Sequence, residues 1–172
     1  MRRPYDDETD SPDRDLHDLI GSMTDEMEHN SNDSSKVSPS SDVPAAIADF
    51  VKRFYELSDT PDVHQQYVEC FIADEQRLSF QIGPMQPTNQ PSGILAWRET
   101  GWQGVTRRKH VVHAVFLSPE RDNDIMLDGY VEIDKNGATL KFNWAGRMVF
   151  DESSVENGQP VIETYKVWLS QA

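Results

Sequence analysis

The sequence has one cysteine, Cys70, so no intramolecular disulfide framework can form. Positive charge is scarce: 16 Lys and Arg stand against 30 Asp and Glu, for a net charge of −14. Such an acidic surface repels phosphates and argues against nucleic-acid binding. Arg107-Arg108-Lys109 is the only basic run. It reads as a helix end, where cations complement the macrodipole. No apolar stretch approaches the ~18 residues of a membrane span. Met1-Arg2-Arg3 is followed at once by acidic residues rather than by the apolar core of a signal peptide. The expectation is a cytoplasmic protein without membrane contact. Motifs are missing too. There is no Gly-x-Ser-x-Gly, no His-Glu-x-x-His, no phosphate loop and no Rossmann glycine pattern. Gly101-Trp102-Gln103-Gly104 is not a nucleotide site, and neither a cofactor nor a metal is expected.

Hydrophobic residues make up 37% of the chain and are unevenly spread. Residues 1–42 hold eight of them among 12 acidic and 4 basic residues, with Ser, Asn and Pro throughout. Such a segment cannot bury enough apolar area to offset its chain entropy, so 1–42 is expected to be a disordered acidic tail. Within it, Leu16, Leu19, Ile20, Met23 and Met27 recur at helical spacing. That stripe is either a transient helix or a segment that docks in a partner's groove. Residues 43–172 carry the remaining hydrophobics, enough for one packed domain of roughly 130 residues.

In that domain, Asp42 and Pro44 start a helix whose apolar face is Val43, Ile47, Phe50, Val51, Phe54 and Leu57. Ser58-Asp59-Thr60-Pro61 ends it. Asp62 is expected to cap a second helix with Val63, Tyr67, Cys70 and Phe71 on one face, which makes Cys70 a structural thiol. A strand over 77–82 and a loop follow. Ser92 then caps a third helix carrying Ile94, Leu95, Trp97, Trp102 and Val105. Strands are expected at 109–118, 124–134, 138–150 and 161–170. Helices first and an antiparallel meander after them imply an α+β fold. Asn136-Gly137 is a two-residue hairpin turn. It sets a register in which paired positions sum to 273, so that Ile133 meets Leu140, Val131 meets Phe142, Gly129 meets Trp144 and Glu132 meets Lys141. A glycine opposite an aromatic is a known rescue of a weak strand position. The other face of this hairpin carries Asp128, Tyr130, Asn143 and Arg147 beside Met126, Ala145 and Val149. Strand 109–118 is apolar on both faces, which points to a deep cavity or a dimer interface.

This order of elements resembles the SnoaL-like branch of the nuclear-transport-factor-2-like superfamily. Phe50-Val51-Lys52-Arg53-Phe54-Tyr55-Glu56-Leu57-Ser58-Asp59-Thr60-Pro61 is similar to the first helix of a group of fungal SnoaL-like proteins. So are Arg108-Lys109-His110-Val111-Val112-His113-Ala114-Val115-Phe116 and Asn143-Trp144-Ala145-Gly146-Arg147. The likeness spans 43–170. In the last segment Asn143 stands where the resembling proteins carry an acidic residue, which removes a second base. The resemblance implies a conical α+β barrel, in which a curved antiparallel sheet wraps around the helices and leaves a pocket at the open end. It also implies homodimers through the sheet. Its members include isomerases, cyclases and dehydratases acting on polyketide- or terpenoid-like substrates, and fold alone does not settle which.

Candidate chemistry rests on few residues. His110 and His113 are three apart on a strand and point to opposite faces, so they make a poor metal pair, but either imidazole suits a general base. Asp128 beside apolar walls suits proton abstraction in an enolisation. Its bland reading is a surface carboxylate near Arg147. Tyr130, Tyr165, Arg147 and Asn143 could bind a developing enolate or a polar substrate group. Trp97 and Trp102 could line an apolar ligand site. Two readings follow. One is a cofactor-independent isomerase or cyclase of secondary metabolism that binds a hydrophobic small molecule. The other is a non-catalytic dimerising module whose acidic tail binds a partner protein.

Overall fold

A computed structural model describes residues 42–172 and the backbone of residues 38 and 39. The Leu16–Met27 stripe lies outside the described residues. The elements run β1 (Ser38–Pro39), α1 (Ala45–Asp59), α2 (His64–Val68), β2 (Ser79–Ile82), α3 (Pro91–Trp102), β3 (Val105–Ser118), β4 (Arg121–Lys135), β5 (Ala138–Phe150), α4 (Glu152–Glu156) and β6 (Ile162–Gln171). They form an α+β cone, a curved sheet of order β1-β3-β4-β5-β6-β2 wrapped around the helices. Strands β3 to β6 are the antiparallel meander read from the sequence. The sheet as a whole is mixed, because β2 adds to β6, and the two-residue β1 to β3, in parallel. No helix among the described residues is long and apolar enough to cross a membrane.

Helix α1 buries Ile47, Phe50, Val51, Phe54, Tyr55 and Ser58, a stripe at intervals of three and four. Each fully buried Phe contributes roughly 1.5–3 kcal/mol. These rings meet Tyr67, Phe71, Phe150 and Tyr165, and Phe80 joins the same core through Phe71 and Tyr165. The N-cap position of α1 is Pro44, not Asp42, and no side-chain cap bond forms there. The second helix is shorter than expected and is not capped by Asp62. Asp62 takes a left-handed φ of 61° in the turn, and Val63 holds the N-cap position. Cys70 falls just beyond that helix, buried, with its Sγ–H donating to the Gln66 carbonyl at 3.5 Å.

Helix α3 starts at Pro91 after Gln90 and stops at Trp102. Gly104, at φ 72°, turns the chain into β3. That stop moves the basic run: Arg107, Arg108 and Lys109 lie in β3, not at a helix end. Arg107 pairs with Glu132 and Asp134 of β4, while Arg108 turns inward. The short α4 escaped the sequence reading; Asp151 caps it through the Ser154 amide at 2.8 Å.

The β4–β5 register is the one set by Asn136-Gly137, with Ile125 opposite Met148, Gly129 opposite Trp144 and Ile133 opposite Leu140. Both turn residues have positive φ, at 52° and 83°, as the hairpin turn requires. Residues directly opposite share a face. Three rows therefore cross the concave side of the sheet: Arg108–Ile133–Leu140, His110–Val131–Phe142 and Val112–Gly129–Trp144–Leu169. A bulge at His113 shifts β3 between Val112 and Ala114.

Candidate ligand-binding site

Asp59, the last residue of α1, meets His110 of β3. Its Oδ2 accepts from the His110 backbone amide at 2.8 Å, and its Oδ1 lies 2.5 Å from the ring Nδ1. In the neutral ring, Nδ1–H donating to Asp59 leaves the lone pair on Nε2. Among the described residues, Nε2 makes no hydrogen bond. The two side chains are 15% and 23% exposed, so the pair is sheltered but within reach of solvent. Tyr55 and Trp144 stack on each other beside it, with the His110 ring centroid 5.1 Å from Tyr55 and 6.2 Å from Trp144. Trp144 can lie there because its partner is Gly129. A Cβ at position 129 would come within 2.9 Å of the indole.

A carboxylate at the C-terminus of a helix faces the negative end of the macrodipole. Arg98 of α3 offsets this. It is fully buried and donates to the carbonyls of Leu57 at 2.6 Å, Ser58 at 3.3 Å and Thr60 at 2.8 Å. It also lies 4.5 Å over the Tyr67 ring. Arg108 donates to the Gly101 carbonyl at 2.8 Å and lies 4.5 Å over the Trp102 ring. Burial pulls both guanidinium pKa values below the ordinary one, and Asp59 acts on both in the opposite direction.

The residues singled out from the sequence divide between the two faces. His110, Tyr165, Trp102 and Trp97 lie with the helices. The Tyr165 hydroxyl is 3.3 Å from that of Tyr55, and burial raises both phenol pKa values. Trp97 is half-buried with its ring edge-on to Phe80, and Trp102 is buried under Arg108. His113, Asp128, Tyr130, Asn143 and Arg147 lie on the opposite, convex face. There His113 Nδ1 is 3.7 Å from Asp128, both side chains half-exposed, and the His113 ring packs on Tyr130. Lys141 sits 3.9 Å over the Tyr130 ring, and Asn143 is exposed. The ion pair expected between Asp128 and Arg147 does not form. Arg147 instead clasps Asp124 with bonds of 3.0 and 2.6 Å, because Asp124 is buried and needs a counter-charge.

Sequence reading missed Asp59, Tyr55, Arg98 and Arg108. Asp59 carried a usable signal: an acidic residue closing a helix opposes the dipole and calls for an explanation. Among the described residues no cluster of three His, Cys, Asp or Glu could hold a metal ion.

On the concave side the sheet outruns the helices. Leu140 and Leu169 are 36% and 43% exposed, with Ile133 and Phe142 half-buried between them. These four side chains share the concave face of the sheet with Arg108 and His110.

No protein-family model matches the chain, and neither does any curated protein. Solved structures do resemble it. Nuclear transport factor 2 from Cryptosporidium parvum is 16% identical with a TM-score of 0.58, covering 78% of this chain and 100% of its own. ActVI-ORFA from Streptomyces coelicolor is 16% identical with a TM-score of 0.58, covering 73% and 96%. A candidate SnoaL-like polyketide cyclase from a Jannaschia species is 9% identical with a TM-score of 0.58, covering 74% and 88%. At such identities the likeness is one of fold: the chain has the NTF2-like cone fold, the fold shared by nuclear transport factor 2 and SnoaL-like proteins.

Proposed function

We propose that the domain binds a hydrophobic small molecule at the open mouth of the cone. There His110 acts as general base in a cofactor-independent isomerisation or cyclisation of a polyketide- or terpenoid-like substrate. The observation that carries this reading is the Asp59–His110 pair, with both Asp59 oxygens engaged by one histidine and Nε2 left without a hydrogen-bond partner among the described residues. In such a reaction Nε2 takes a proton from a carbon next to a carbonyl, and Asp59 stabilises the imidazolium that results. The imidazolium then gives a proton back, to another carbon in an isomerisation or to the new alkoxide oxygen in a cyclisation, so no cofactor is consumed. A place in secondary metabolism and kinship with fungal SnoaL-like proteins belong to this reading. They rest on the resemblance of residues 50–61 and 108–116.

The test is a panel of aromatic β-ketoester and polyenone compounds, followed by tryptophan fluorescence for binding and by solvent deuterium uptake for enolisation. The expected result is saturable quenching with exchange that His110→Ala abolishes while binding persists. Quenching unaffected by Leu169→Glu, or exchange unaffected by His110→Ala, overturns the proposal.

The convex face supports a second element of the reading, a homodimer through the sheet. Phe116, 55% exposed, lies there with exposed Met126 and Trp168 around Ala114 and Ala145. His113, Asp128, Tyr130, Asn143 and Arg147 surround this patch, and polar groups around an apolar centre suit a protein interface.

A further inference from the structure

Among the described residues, four buried nitrogen donors on the concave side have no acceptor: Nε of Arg98, Nε of Arg108, and the indole Nε1 of Trp102 and Trp144. A buried donor left without a partner costs about 1–3 kcal/mol. Three of these four belong to one cluster. The Arg108 guanidinium lies 4.5 Å, and that of Arg98 5.8 Å, from the centroid of the Trp102 ring. The charge there does not balance. Two guanidinium groups share a desolvated corner, each lowers its pKa by burial, and Arg108 further lowers that of Arg98. Among the described residues, neither hydrogen-bonds to a carboxylate; their bonds go to the carbonyls of Leu57, Ser58, Thr60 and Gly101. Among the described residues, Tyr67 and then Asp59 act on both with the opposite sign, and the two oxygens of Asp59 are engaged by His110.

Of the three side chains in this corner, Arg108 is the half-buried one. Arg108 is two residues from His110 on the same face of β3 and heads the row that continues through Ile133 to exposed Leu140. We infer that the molecule bound in the cone is an organic carboxylate. Its anionic oxygens seat against Arg108, Arg98 Nε and the Trp102 indole, and its apolar body lies along Ile133, Leu140, Phe142 and Leu169. The inference rests on the proposed pocket and names the class of its ligand. Donors without acceptors select an acceptor-rich group. Two cations against one engaged carboxylate select a negative one.

The test is a titration of the full chain, labelled with nitrogen-15, using 2-naphthoate, its neutral analogue 2-naphthamide, acetate and chloride. The four tryptophan indole N–H signals and the arginine Nε–H signals report each donor directly. Naphthoate is expected to shift the Trp102 indole and Arg Nε–H signals together with the Trp144 indole, and naphthamide to leave Trp102 unmoved. Trp102→Phe keeps the ring and removes one donor. It should weaken naphthoate about tenfold, the value of one charge-assisted bond, with naphthamide unaffected. Arg108→Gln should erase the preference for the acid. Equal binding of acid and amide overturns the inference. So does saturation of Trp102 by acetate or chloride as tightly as by naphthoate, which would mean a small-ion site only. Shifts of Trp144 and His110 with both naphthyl compounds, and none at Trp102, overturn the carboxylate and leave the pocket standing. Shifts at Trp102 with none at Trp144 and His110 overturn the pocket reading and leave an anion site.

Discussion

Gly129→Ala is a one-carbon change with a consequence that can be worked from distances. A Cβ at 129 would stand 2.0 Å from the Val111 carbonyl oxygen and 2.9 Å from Trp144. A carbon and a carbonyl oxygen rest at about 3.3–3.6 Å. The backbone of β3 would therefore have to withdraw by more than 1 Å, and the indole by several tenths. Trp144 has little room, because Tyr55 is stacked against it. Overpacking of a core usually costs about 1–3 kcal/mol, and a backbone clash belongs above that range. The expected loss is about 3–5 kcal/mol, a fall of roughly 10–20 °C in melting temperature for a domain of this size. Urea unfolding followed by tryptophan fluorescence measures it. The double variant Gly129→Ala/Trp144→Leu relieves only the indole contact, so it should recover less than half of the loss. A single variant within 1 kcal/mol of the wild type would refute the close approach of β3 and β4. Full recovery in the double variant would move the cause from backbone to indole.

Other perturbations reach the rest of the structure. Arg98→Met leaves three carbonyls at the end of α1 without their donor and should cost about 3–5 kcal/mol in urea unfolding, the penalty for breaking a buried charged network; a loss under 1 kcal/mol would show that water caps the helix as well. Burial raises the Cys70 thiol pKa from 9.0 to about 11. The unfolded chain therefore releases that proton first as pH rises, so this contribution is complete below about pH 9 and is lost up to about pH 11. Within that window the wild type should lose about 1.4 kcal/mol per pH unit more than Cys70→Ala, read from denaturant midpoints; equal slopes would refute it. Asp59→Asn should lower kcat on any substrate found while leaving KM within about twofold, because it removes the stabiliser of the imidazolium and not a ligand contact; a change in KM alone would place Asp59 in binding. Phe116→Glu should convert a dimer to a monomer in light scattering after size exclusion, with thermal stability of the domain unchanged; a monomeric wild type would refute the convex-face interface.

What could be read from the sequence was local. Asn136-Gly137 fixes its turn through two positive φ values, and a turn fixes every pair beyond it, so the β4–β5 register could be written down from two residues. Helix α1 showed its buried face through spacing alone. The parts that escaped depend on distant partners. Asp59 looked like a stop signal because His110 lies 51 positions away. Arg107-Arg108-Lys109 looked like a helix end because α3 was expected to run through Val105, whereas it stops at Trp102, where Gln103 turns extended and Gly104 at φ 72° follows. The choice of faces escaped for another reason. The 125–133 and 140–150 side of β4 and β5 reads as core, but the other side sets Met126, Tyr130, Ala145 and Val149 among charged residues, so alternation could not say whether that side is covered as well. Contact with α1 decides it, and that contact puts His110 inside with Asp59 while His113 and Asp128 fall outside.

The same arrangement ties the stability of the cone to its site. A helix that ends without glycine leaves its last carbonyls open, and here Thr60 holds an extended conformation rather than a left-handed one. Arg98 closes that end, and in doing so it lets the chain place Asp59 where the dipole would otherwise oppose a carboxylate. Asp59 in turn orients His110. The cost is a buried cation with one donor unused, beside a second one in Arg108. A purely structural cap would not need the second cation, and an apolar residue at 108 would fit the row of Ile133 and Leu140 better. The pairing of Arg98 with Arg108 is therefore hard to explain by folding alone. It becomes reasonable if the open mouth beside them is completed by a negative group from outside the chain.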